Sequence, residues 1–338
     1  MQTIRLRRPF DMHAHFRQGD MLRKVLPHTV KYFAGAIAMP NTLPDVLTGD
    51  DAIRYLDEIM SCVPSGRSFR PLMTIKLTDA TTPKTITAAY AAGVIAGKAY
   101  PVGTTTNSAK GVTDFYALTP VFLEMERVGM VLELHGETTT HFCLDREAKF
   151  LPILKWLVDH FPRLKIVLEH ITTAEGIRAV EDLPDTVAGS ITTHHLYLTL
   201  DDVVGDKLEP HNFCKPIAKR PEDRTAVQLA ALSGDPKFFL GTDTAPHSVE
   251  TKECEHGCAG VYSAPTAMPA TVQFFAERGL LNNLEAFTSL NGPRFYGIDP
   301  SNELDTYEQR TWLVPHEIDD LKPFLRNQEI TWQLADTT

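Results

Sequence analysis

The chain has 338 residues, of which 43% are hydrophobic and 22% charged, a composition that supports a large buried core. The formal net charge of −10, without a Lys/Arg-rich block, argues against nucleic acid binding, and the chain shows neither a secretory signal nor an apolar run of ~18 residues for a membrane span. Five scattered cysteines are typical of a reduced cytoplasmic protein rather than of a disulfide framework.

Short apolar runs with β-branched residues recur along the chain, each bounded by polar residues, Gly or Pro. These lengths and boundaries predict buried strands. In chain order the runs are 10–16, 35–40, 71–78, 94–100, 130–137, 165–171, 187–196 and 238–243.

Helical periodicity lies between these runs. An apolar face recurs over 53–63 after a capping segment that begins at Thr48, and another recurs over 118–128 and stops at Gly129. A third helix is predicted over 222–232.

Strand followed by helix, repeated about eight times, predicts a single α/β domain over 1–338 that folds as a (β/α)8 TIM barrel. A doubly wound open sheet is the architectural alternative. Residues 299–338 form a C-terminal extension whose role the sequence does not reveal.

Polar side chains stand where the predicted strands end. His13 and His15 are two residues apart, so in a strand they share one face, with Arg17 one step further on. A barrel gathers the carboxyl ends of its strands at one mouth, and histidine and carboxylate side chains are ligands for zinc. We therefore predict a metal centre there. Its candidate ligands are His13, His15, His135, His170 and Asp243.

These candidate ligands outnumber the three protein ligands of a typical catalytic zinc, which favours two metals and requires a bridging group. Lys98 ends the fourth run, and its amine becomes an anionic, bidentate carbamate if it captures carbon dioxide. The alternative is that Lys98 stays charged and pairs with solvent or with a substrate carboxylate.

Seven segments, taken together, resemble the shorter, monofunctional bacterial and fungal dihydroorotases of the amidohydrolase superfamily. They run in order through nearly the whole chain: Phe10-Asp-Met-His-Ala-His-Phe-Arg17, Ala38-Met-Pro-Asn41, Lys98-Ala-Tyr-Pro101, His135-Gly-Glu137, Glu169-His-Ile-Thr-Thr173, Gly241-Thr-Asp-Thr-Ala-Pro-His247 and Asn291-Gly-Pro-Arg-Phe-Tyr-Gly297.

The resemblance implies reversible cyclisation of N-carbamoyl-L-aspartate to L-dihydroorotate in pyrimidine (UMP) biosynthesis, by a bridging hydroxide on a binuclear zinc site. His13, His15 and Asp243 would bind one zinc ion. His135 and His170 would bind the other, and carboxylated Lys98 would bridge the two. Asp243 would also shuttle the proton. The family further implies a homodimer.

The same resemblance assigns substrate contacts. Arg17, Asn41 and His247 would hold the α-carboxylate, a role that suits the planar fork of arginine. Backbone groups near Lys215 and Ala259 would contact the ring, although Lys215 departs from the leucine usual in the bacterial form. In the loop 102–111, Thr105 and Thr106 would close over the substrate, and we expect this loop to be mobile when the site is empty.

Two further groups of residues are predicted to be structural. His194 and His195 would lie on the seventh strand, where alternation turns one of them outward. Cys254, His256 and Cys258 lack a second ligand pair and are expected to form a loop over the site.

Two rival functions remain. A hydantoinase-like or allantoinase-like cyclic amidohydrolase would share the metal ligands but bind its substrate in a different pocket. A non-catalytic barrel would act as an assembly partner, but such proteins typically lose ligands, and every expected ligand is present here.

Overall fold

The computed structural model describes residues 2–105 and 107–335. Strand β1 (Thr3–Arg7) precedes a barrel of eight parallel strands that neighbour one another in sequence order. The barrel strands are β2 (Phe10–Ala14), β3 (Gly35–Ala38), β4 (Arg70–Leu77), β5 (Ala96–Ala99), β6 (Val131–Leu134), β7 (Ile166–Leu168), β8 (Val187–Ile191) and β9 (Phe238–Leu240). A parallel β-bridge between Ala14 and Thr244 connects the segment that follows β9 to the end of β2 and so closes the barrel. The predicted TIM barrel is confirmed.

Helices alternate with these strands and pack around them. They are α1 (Gly19–Tyr32), α2 (Gly49–Cys62), α3 (Pro83–Ala91), α4 (Thr119–Val128), α5 (Arg146–His160), α6 (Ala174–Asp182), α7 (Thr193–Tyr197), α8 (Asp201–Val204), α9 (Pro221–Leu232), α10 (Val249–Lys252), α11 (Ala267–Glu277), α12 (Leu281–Glu285) and α13 (Asn291–Tyr296). Two 3-10 turns (Tyr116–Leu118 and Pro210–Asn212) and a π-helical turn (Ala286–Leu290) complete the helical structure of the described residues.

Local sequence explains where several helices begin and end. The hydroxyl of Thr48 accepts the backbone N–H of Asp51 at the start of α2, and that of Thr173 accepts the N–H of Gly176 at the start of α6. Helix α4 stops at Gly129, whose φ of 80° lies in the left-handed region that favours glycine. The predicted cap at Thr48 and stop at Gly129 are confirmed.

Seven of the eight barrel strands are shorter than the predicted runs, while β4 matches its run in length, displaced by one residue. The second half of one run is not a strand. The run 187–196 is a strand only as far as Ile191. Thr192 then caps helix α7 by accepting the N–H of His195. Because His194 and His195 lie on a helix, strand alternation does not apply, and both side chains are buried.

The C-terminal extension pairs with the N-terminal strand. It contains β10 (Leu304–Glu308), β11 (Trp312–Leu313), β12 (Glu329–Ile330) and β13 (Gln333–Leu334). Strand β10 lies antiparallel between β1 and β13, and the buried guanidinium of Arg8 donates to Glu303 over 2.6 Å. The extension therefore holds both ends of the described chain together against the barrel.

Each helix in 2–105 and 107–335 is too short or too polar to cross a membrane. The five cysteines are free.

Candidate metal centre and active site

Most of the predicted site residues meet at the carboxyl ends of the barrel strands. They line one narrow cavity, together with Tyr100, Ala245 and Gly260. The predicted residues on its wall are His13, His15, Arg17, Asn41, Thr105, His135, His170, Lys215, Asp243 and Ala259. Thr106 was also predicted there, but it lies outside the described residues.

Three candidate ligands converge on one point. The Nε2 atom of His13 lies 3.3 Å from Nε2 of His15 and 3.4 Å from Oδ1 of Asp243, and the last two atoms are 3.1 Å apart. Tetrahedral zinc with bonds of about 2.0–2.1 Å separates its ligand atoms by roughly 3.3 Å. The predicted convergence of His13 and His15 is confirmed, and the spacing suits one ion.

The ring of His13 is held in the orientation that a ligand needs. Its Nδ1 lies 2.9 Å from a carboxylate oxygen of Glu169, which also accepts the hydroxyl of Ser190. Donation from Nδ1–H to Glu169 leaves the Nε2 lone pair free, an arrangement that raises the basicity of a metal-binding histidine.

Backbone geometry aims several of these side chains. Arg17, His170 and Asp243 have φ values of 60°, 43° and 46°. Residues other than glycine rarely adopt this left-handed region. Hydrogen bonds hold two of them in place: Asp243 donates its N–H to the carbonyl of His13, and His170 donates its N–H to the Ser190 hydroxyl. Such conformations cluster at functional sites. Arg17 therefore reaches the cavity through a turn beyond β2, and the predicted strand alternation does not place it there.

A second pair of histidines lies beside the first group. The rings of His135 and His170 are 4.8 Å apart between centroids, and the rings of His13 and His170 are 5.2 Å apart. Nε2 of His135 contacts Glu137 over 2.9 Å, which leaves Nδ1 of His135 as the free nitrogen. Burial lowers the pKa of His135 and of His170, so both rings are neutral, as metal ligands must be.

Lys98 lies on β5 beneath the cavity and is completely buried. Its Nζ has no hydrogen-bond partner among the described residues. Burial lowers the pKa of Lys98, although the charges of Glu169 and Glu133 act in the opposite direction. A buried, unpaired ammonium is costly, whereas a neutral amine is the form that captures carbon dioxide. The lysine, the histidines and the aspartate therefore fit a pair of metal ions with an anionic bridge.

The charge of Asp243 follows from its neighbours. Burial raises its pKa, but the hydrogen bond to His15 and the charges of His13 and His15 outweigh burial and hold the pKa below its usual value. Asp243 is therefore an ionised carboxylate at neutral pH, able to bind a cation or accept a proton.

Arg17 forms the cationic side of the cavity, and His247 lies beside it. Nη2 of Arg17 donates to Nε2 of His247 over 2.9 Å, and Nε donates to the carbonyl of Pro246 over 3.1 Å. Burial and the charge of Arg17 lower the pKa of His247 to about 2, so its ring is a neutral acceptor. His247 also bonds to the backbone of Ala259. These contacts orient the guanidinium beside the candidate metal ligands.

The loop that carries Thr105 is tied by its own hydrogen bonds. Ser108 accepts the N–H of Thr105 and donates its hydroxyl to the Thr105 carbonyl, over 3.0 and 2.6 Å. Asn107 donates its side-chain amide to the carbonyl of Asn41 over 3.0 Å, which connects the loop to the end of β3. Thr105 and Asn41 are thus positioned on one wall by contacts between two βα loops.

Several contributing residues were not predicted. Tyr100 lines the cavity, and Glu137 and Glu169 contact the candidate ligands His135 and His13. For Glu137 the usable signal was its position two residues from His135, because ligating histidines are commonly oriented by carboxylates. Glu169 had no such signal, since it is adjacent to His170 in the sequence but contacts His13.

Full-length relatives share this architecture and sequence. No family model matches the chain. A dihydroorotase from Aromatoleum aromaticum is 45% identical over 343 residues, which cover 99% of this chain and 100% of the relative. A dihydroorotase from Shewanella sediminis is 44% identical, with 99% of each chain covered. This chain belongs to the dihydroorotase family. It is accordingly an enzyme of the amidohydrolase superfamily that acts on a cyclic amide.

Solved dihydroorotases have the same fold. The enzyme from Saccharomyces cerevisiae, in complex with 5-fluoroorotic acid, is 38% identical with a TM-score of 0.93, and 99% of each chain is covered. The dihydroorotase from Campylobacter jejuni is 36% identical with a TM-score of 0.92, covering 99% of this chain and 98% of its own. An L-hydantoinase from Arthrobacter aurescens matches with a TM-score of 0.82 over 98% of this chain and 83% of its own, but at 16% identity it shares only the fold.

Proposed function

We propose that this dihydroorotase-family chain interconverts N-carbamoyl-L-aspartate and L-dihydroorotate in pyrimidine biosynthesis with two zinc ions at the barrel mouth. The observation that carries the proposal is the mutual approach of the His13, His15 and Asp243 ligand atoms to 3.1–3.4 Å. That spacing matches one metal site, and the remaining imidazoles and Lys98 are the donors for a second.

His13, His15 and Asp243 would hold one ion, and His135 and His170 the other. Carboxylated Lys98 would bridge them. The burial of Lys98 and the absence of a hydrogen-bond partner for its Nζ among the described residues support this bridge. Carboxylation would replace a costly buried cation at Lys98 with an anion that offers two ligand oxygens.

Two zinc ions in this position would lower the pKa of a water molecule from about 15.7 to near 7 and polarise a carbonyl oxygen. Asp243 moves the proton. In the hydrolytic direction its carboxylate accepts a proton and delivers it to the leaving ring nitrogen, and in the synthetic direction it removes a proton from the carbamoyl nitrogen. The low pKa of Asp243 supports the acceptor form in which it begins.

The substrate carboxylate would bind to Arg17, Asn41 and His247. The contacts of Arg17 with Pro246 and His247 support this role, because they turn a charged, planar donor toward the cavity. The yeast relative was solved with 5-fluoroorotic acid, itself an acid.

Backbone groups near Lys215 and Ala259 would contact the substrate ring. The position of both residues on the cavity wall supports this assignment. Thr105 and Thr106 would add hydroxyl donors from a loop that closes over the substrate and excludes water.

We also propose that residues 1–338 form one domain and that the enzyme is a cytoplasmic homodimer. The pairing of β1 with β10 supports the single domain. Five free cysteines suit a reducing compartment. The dimer is inferred from family resemblance alone.

A substrate panel and a metal titration together test the function. The metal-loaded enzyme should turn over L-dihydroorotate and N-carbamoyl-L-aspartate, and act poorly on hydantoin and allantoin. Chelation should abolish turnover, and zinc should restore it with two ions per chain at the catalytic centre. Preferential turnover of hydantoin, or full activity with a single ion there, would contradict the proposal.

A further inference from the structure

A second group of potential metal ligands lies behind the wall of the active-site cavity. His194 and His195 are on α7, and Cys214 follows the 3-10 turn Pro210–Asn212. The exposed fractions of these side chains are 0%, 3% and 1%. Their potential ligand atoms all lie within 4.8 Å of one another. Two imidazoles and a thiol, brought together in the interior from separate segments, are a donor set typical of thiophilic metal ions.

The distances within this group suit a tetrahedral ion. Nε2 of His195 lies 3.5 Å from Sγ of Cys214, and both atoms approach the carbonyl oxygen of Pro216, at 3.1 and 3.2 Å respectively. Zinc bonds of about 2.0–2.1 Å to nitrogen and 2.3 Å to sulfur separate ligand atoms by roughly 3.3–3.6 Å. The three atoms therefore outline one face of a tetrahedron.

His194 supplies an independent observation. Neither Nδ1 nor Nε2 of this ring has a hydrogen-bond partner among the described residues. Buried polar groups are nearly always satisfied, because an unpaired donor or acceptor costs about 1–3 kcal/mol. Its surroundings include the rings of His195 and Phe324, at centroid distances of 4.4 and 6.2 Å. Coordination of an ion would give His194 the missing partner.

Thr192 prepares His195 for the same role. The Thr192 hydroxyl oxygen accepts the N–H of His195 over 3.0 Å and lies 2.9 Å from Nδ1 of that ring. The Pro216 carbonyl can only accept, so without an ion Nε2–H donates to it and Nδ1 accepts the Thr192 hydroxyl. Binding of an ion at Nε2 would move the ring proton to Nδ1, which would then donate to the Thr192 oxygen. Ligating histidines characteristically donate their second ring nitrogen in this way.

We propose that His194, His195 and Cys214 form a buried site for a thiophilic cation of the Zn²⁺ class, with the Pro216 carbonyl as a fourth ligand. Binding replaces the thiol proton of Cys214 with a sulfur–metal bond and releases that proton to solvent. Burial raises the pKa of the Cys214 thiol to about 12, while Lys252 and Lys219 lower it. The charge of the ion therefore sustains the buried thiolate.

The proposed ion would act on the active site through the chain between its ligands. Lys215 lies between Cys214 and Pro216 and lines the catalytic cavity. Fixing both neighbours fixes the backbone that faces the substrate. The ion is thus a positioning element, separate from the oxygen and nitrogen ligands of the catalytic centre.

Cobalt distinguishes the two kinds of site without an activity assay. The proposed catalytic ligands contain no sulfur, so a thiolate-to-cobalt charge-transfer band in the near ultraviolet reports only the new site. Metal-stripped, folded protein is titrated with Co²⁺, and bound metal is counted after gel filtration. We expect the band in the wild type, and one ion per chain more than in Cys214→Ser.

His194→Gln provides a second variant that does not alter the thiol. It should weaken binding of the additional ion at least tenfold while leaving the ions at the catalytic centre bound. Cys258→Ser is the matched control, because Cys258 precedes the cavity residue Ala259 but lies outside the proposed ligand set; it should retain the band. Absence of the band in wild type, its persistence in Cys214→Ser, its loss in Cys258→Ser, or unchanged affinity in His194→Gln overturns the proposed site.

Discussion

The floor and the rim of the active-site cavity are built differently. We define the floor as the proposed ligands His13, His15, Lys98, His135, His170 and Asp243, and the rim as Arg17, Asn41, Thr105, Lys215, His247 and Ala259. Floor side chains stand at or just beyond strand ends, and two of their rings are oriented by glutamates. Rim residues lie on loops and are oriented largely by backbone carbonyls and neutral side chains. The comparison indicates that the chemistry of the floor depends on which side chains are present, whereas substrate binding at the rim depends on where the loops place their residues.

If the floor depends on side-chain identity, its central lysine should be the most sensitive position. Lys98→Ala removes the proposed bridge, so we expect loss of most bound metal and of nearly all activity. Short carboxylic acids should restore part of both, because they replace the missing anionic oxygens. Metal analysis and turnover with and without added acid measure the effect.

Lys165→Ala, at the opposite end of the barrel, is the control and should keep its metal. A folded Lys98→Ala protein with two bound metal ions and normal turnover would show that Lys98 does not bridge the metals.

Asp243→Asn tests whether the floor carries out proton transfer as well as metal binding. The amide keeps the shape and one ligand oxygen but loses the basic site. General acid–base catalysis contributes about 10²–10⁴-fold, so turnover should fall by at least that range while metal content falls far less. Turnover within a few-fold of wild type, with both ions bound, would limit Asp243 to a ligand role.

Arg17→Gln is the strongest test of the rim. A hydrogen bond to a charged group is worth about 1.5–3 kcal/mol, which corresponds to a loss of roughly 12- to 160-fold in kcat/KM. Metal content should not change, because Arg17 is not in the proposed ligand set. Arg23→Gln, in an exposed ion pair with Asp20, is the matched control. A loss of bound metal in Arg17→Gln would contradict the proposal that the rim binds substrate and the floor alone binds metal.

Thr105→Val should have a smaller effect. The substitution preserves shape and removes one neutral hydrogen bond, worth about 0.5–1.5 kcal/mol, so kcat/KM should fall roughly 2- to 12-fold. Thr87→Val on the exposed side of α3 controls for the loss of a hydroxyl. Wild-type kinetics would show that the loop 102–111 only connects two elements. A much larger loss of kcat/KM would indicate that the loop fails to close over the substrate.

The last prediction concerns His247 and the pH dependence of folding stability, which is measured without substrate. Its pKa is lowered from 6.5 to about 2 in the folded protein, so the unfolded chain binds more protons as the pH falls below 6.5. The stability of the wild type relative to His247→Asn is therefore complete above that pH and declines below it. Urea unfolding of both proteins at about pH 8 and pH 5 measures the change, and the titration of other histidines cancels in the difference. A relative stability that rises toward pH 5 would contradict the assigned neutral ring.

The sequence by itself determined the barrel and most of the floor. Short, near-continuous apolar runs mark all eight barrel strands, because strands buried between the barrel interior and its helices are apolar on both faces. Since the carboxyl ends of parallel strands meet at one mouth, the positions of His13, His135 and Asp243 relative to their runs were enough to predict their convergence.

Local signals failed where a strand passes into a helix and where distant segments meet. The seventh run was extended beyond Ile191 over polar residues, and the cap at Thr192, which separates strand from helix, was not recognised. The cluster of His194 and His195 with Cys214 joins positions about 20 residues apart in sequence, and no spacing rule connects them.

Only the tertiary structure decided how the rim side chains are aimed. Arg17 is turned by a left-handed backbone conformation and held by Pro246 and His247, which lie more than 200 residues away in the chain. Glu169 orients His13 from the far side of the barrel in the same way. A buried strand is marked by the apolar run of its own residues, whereas the direction of a side chain on a loop is set by contacts that exist only once the barrel has closed.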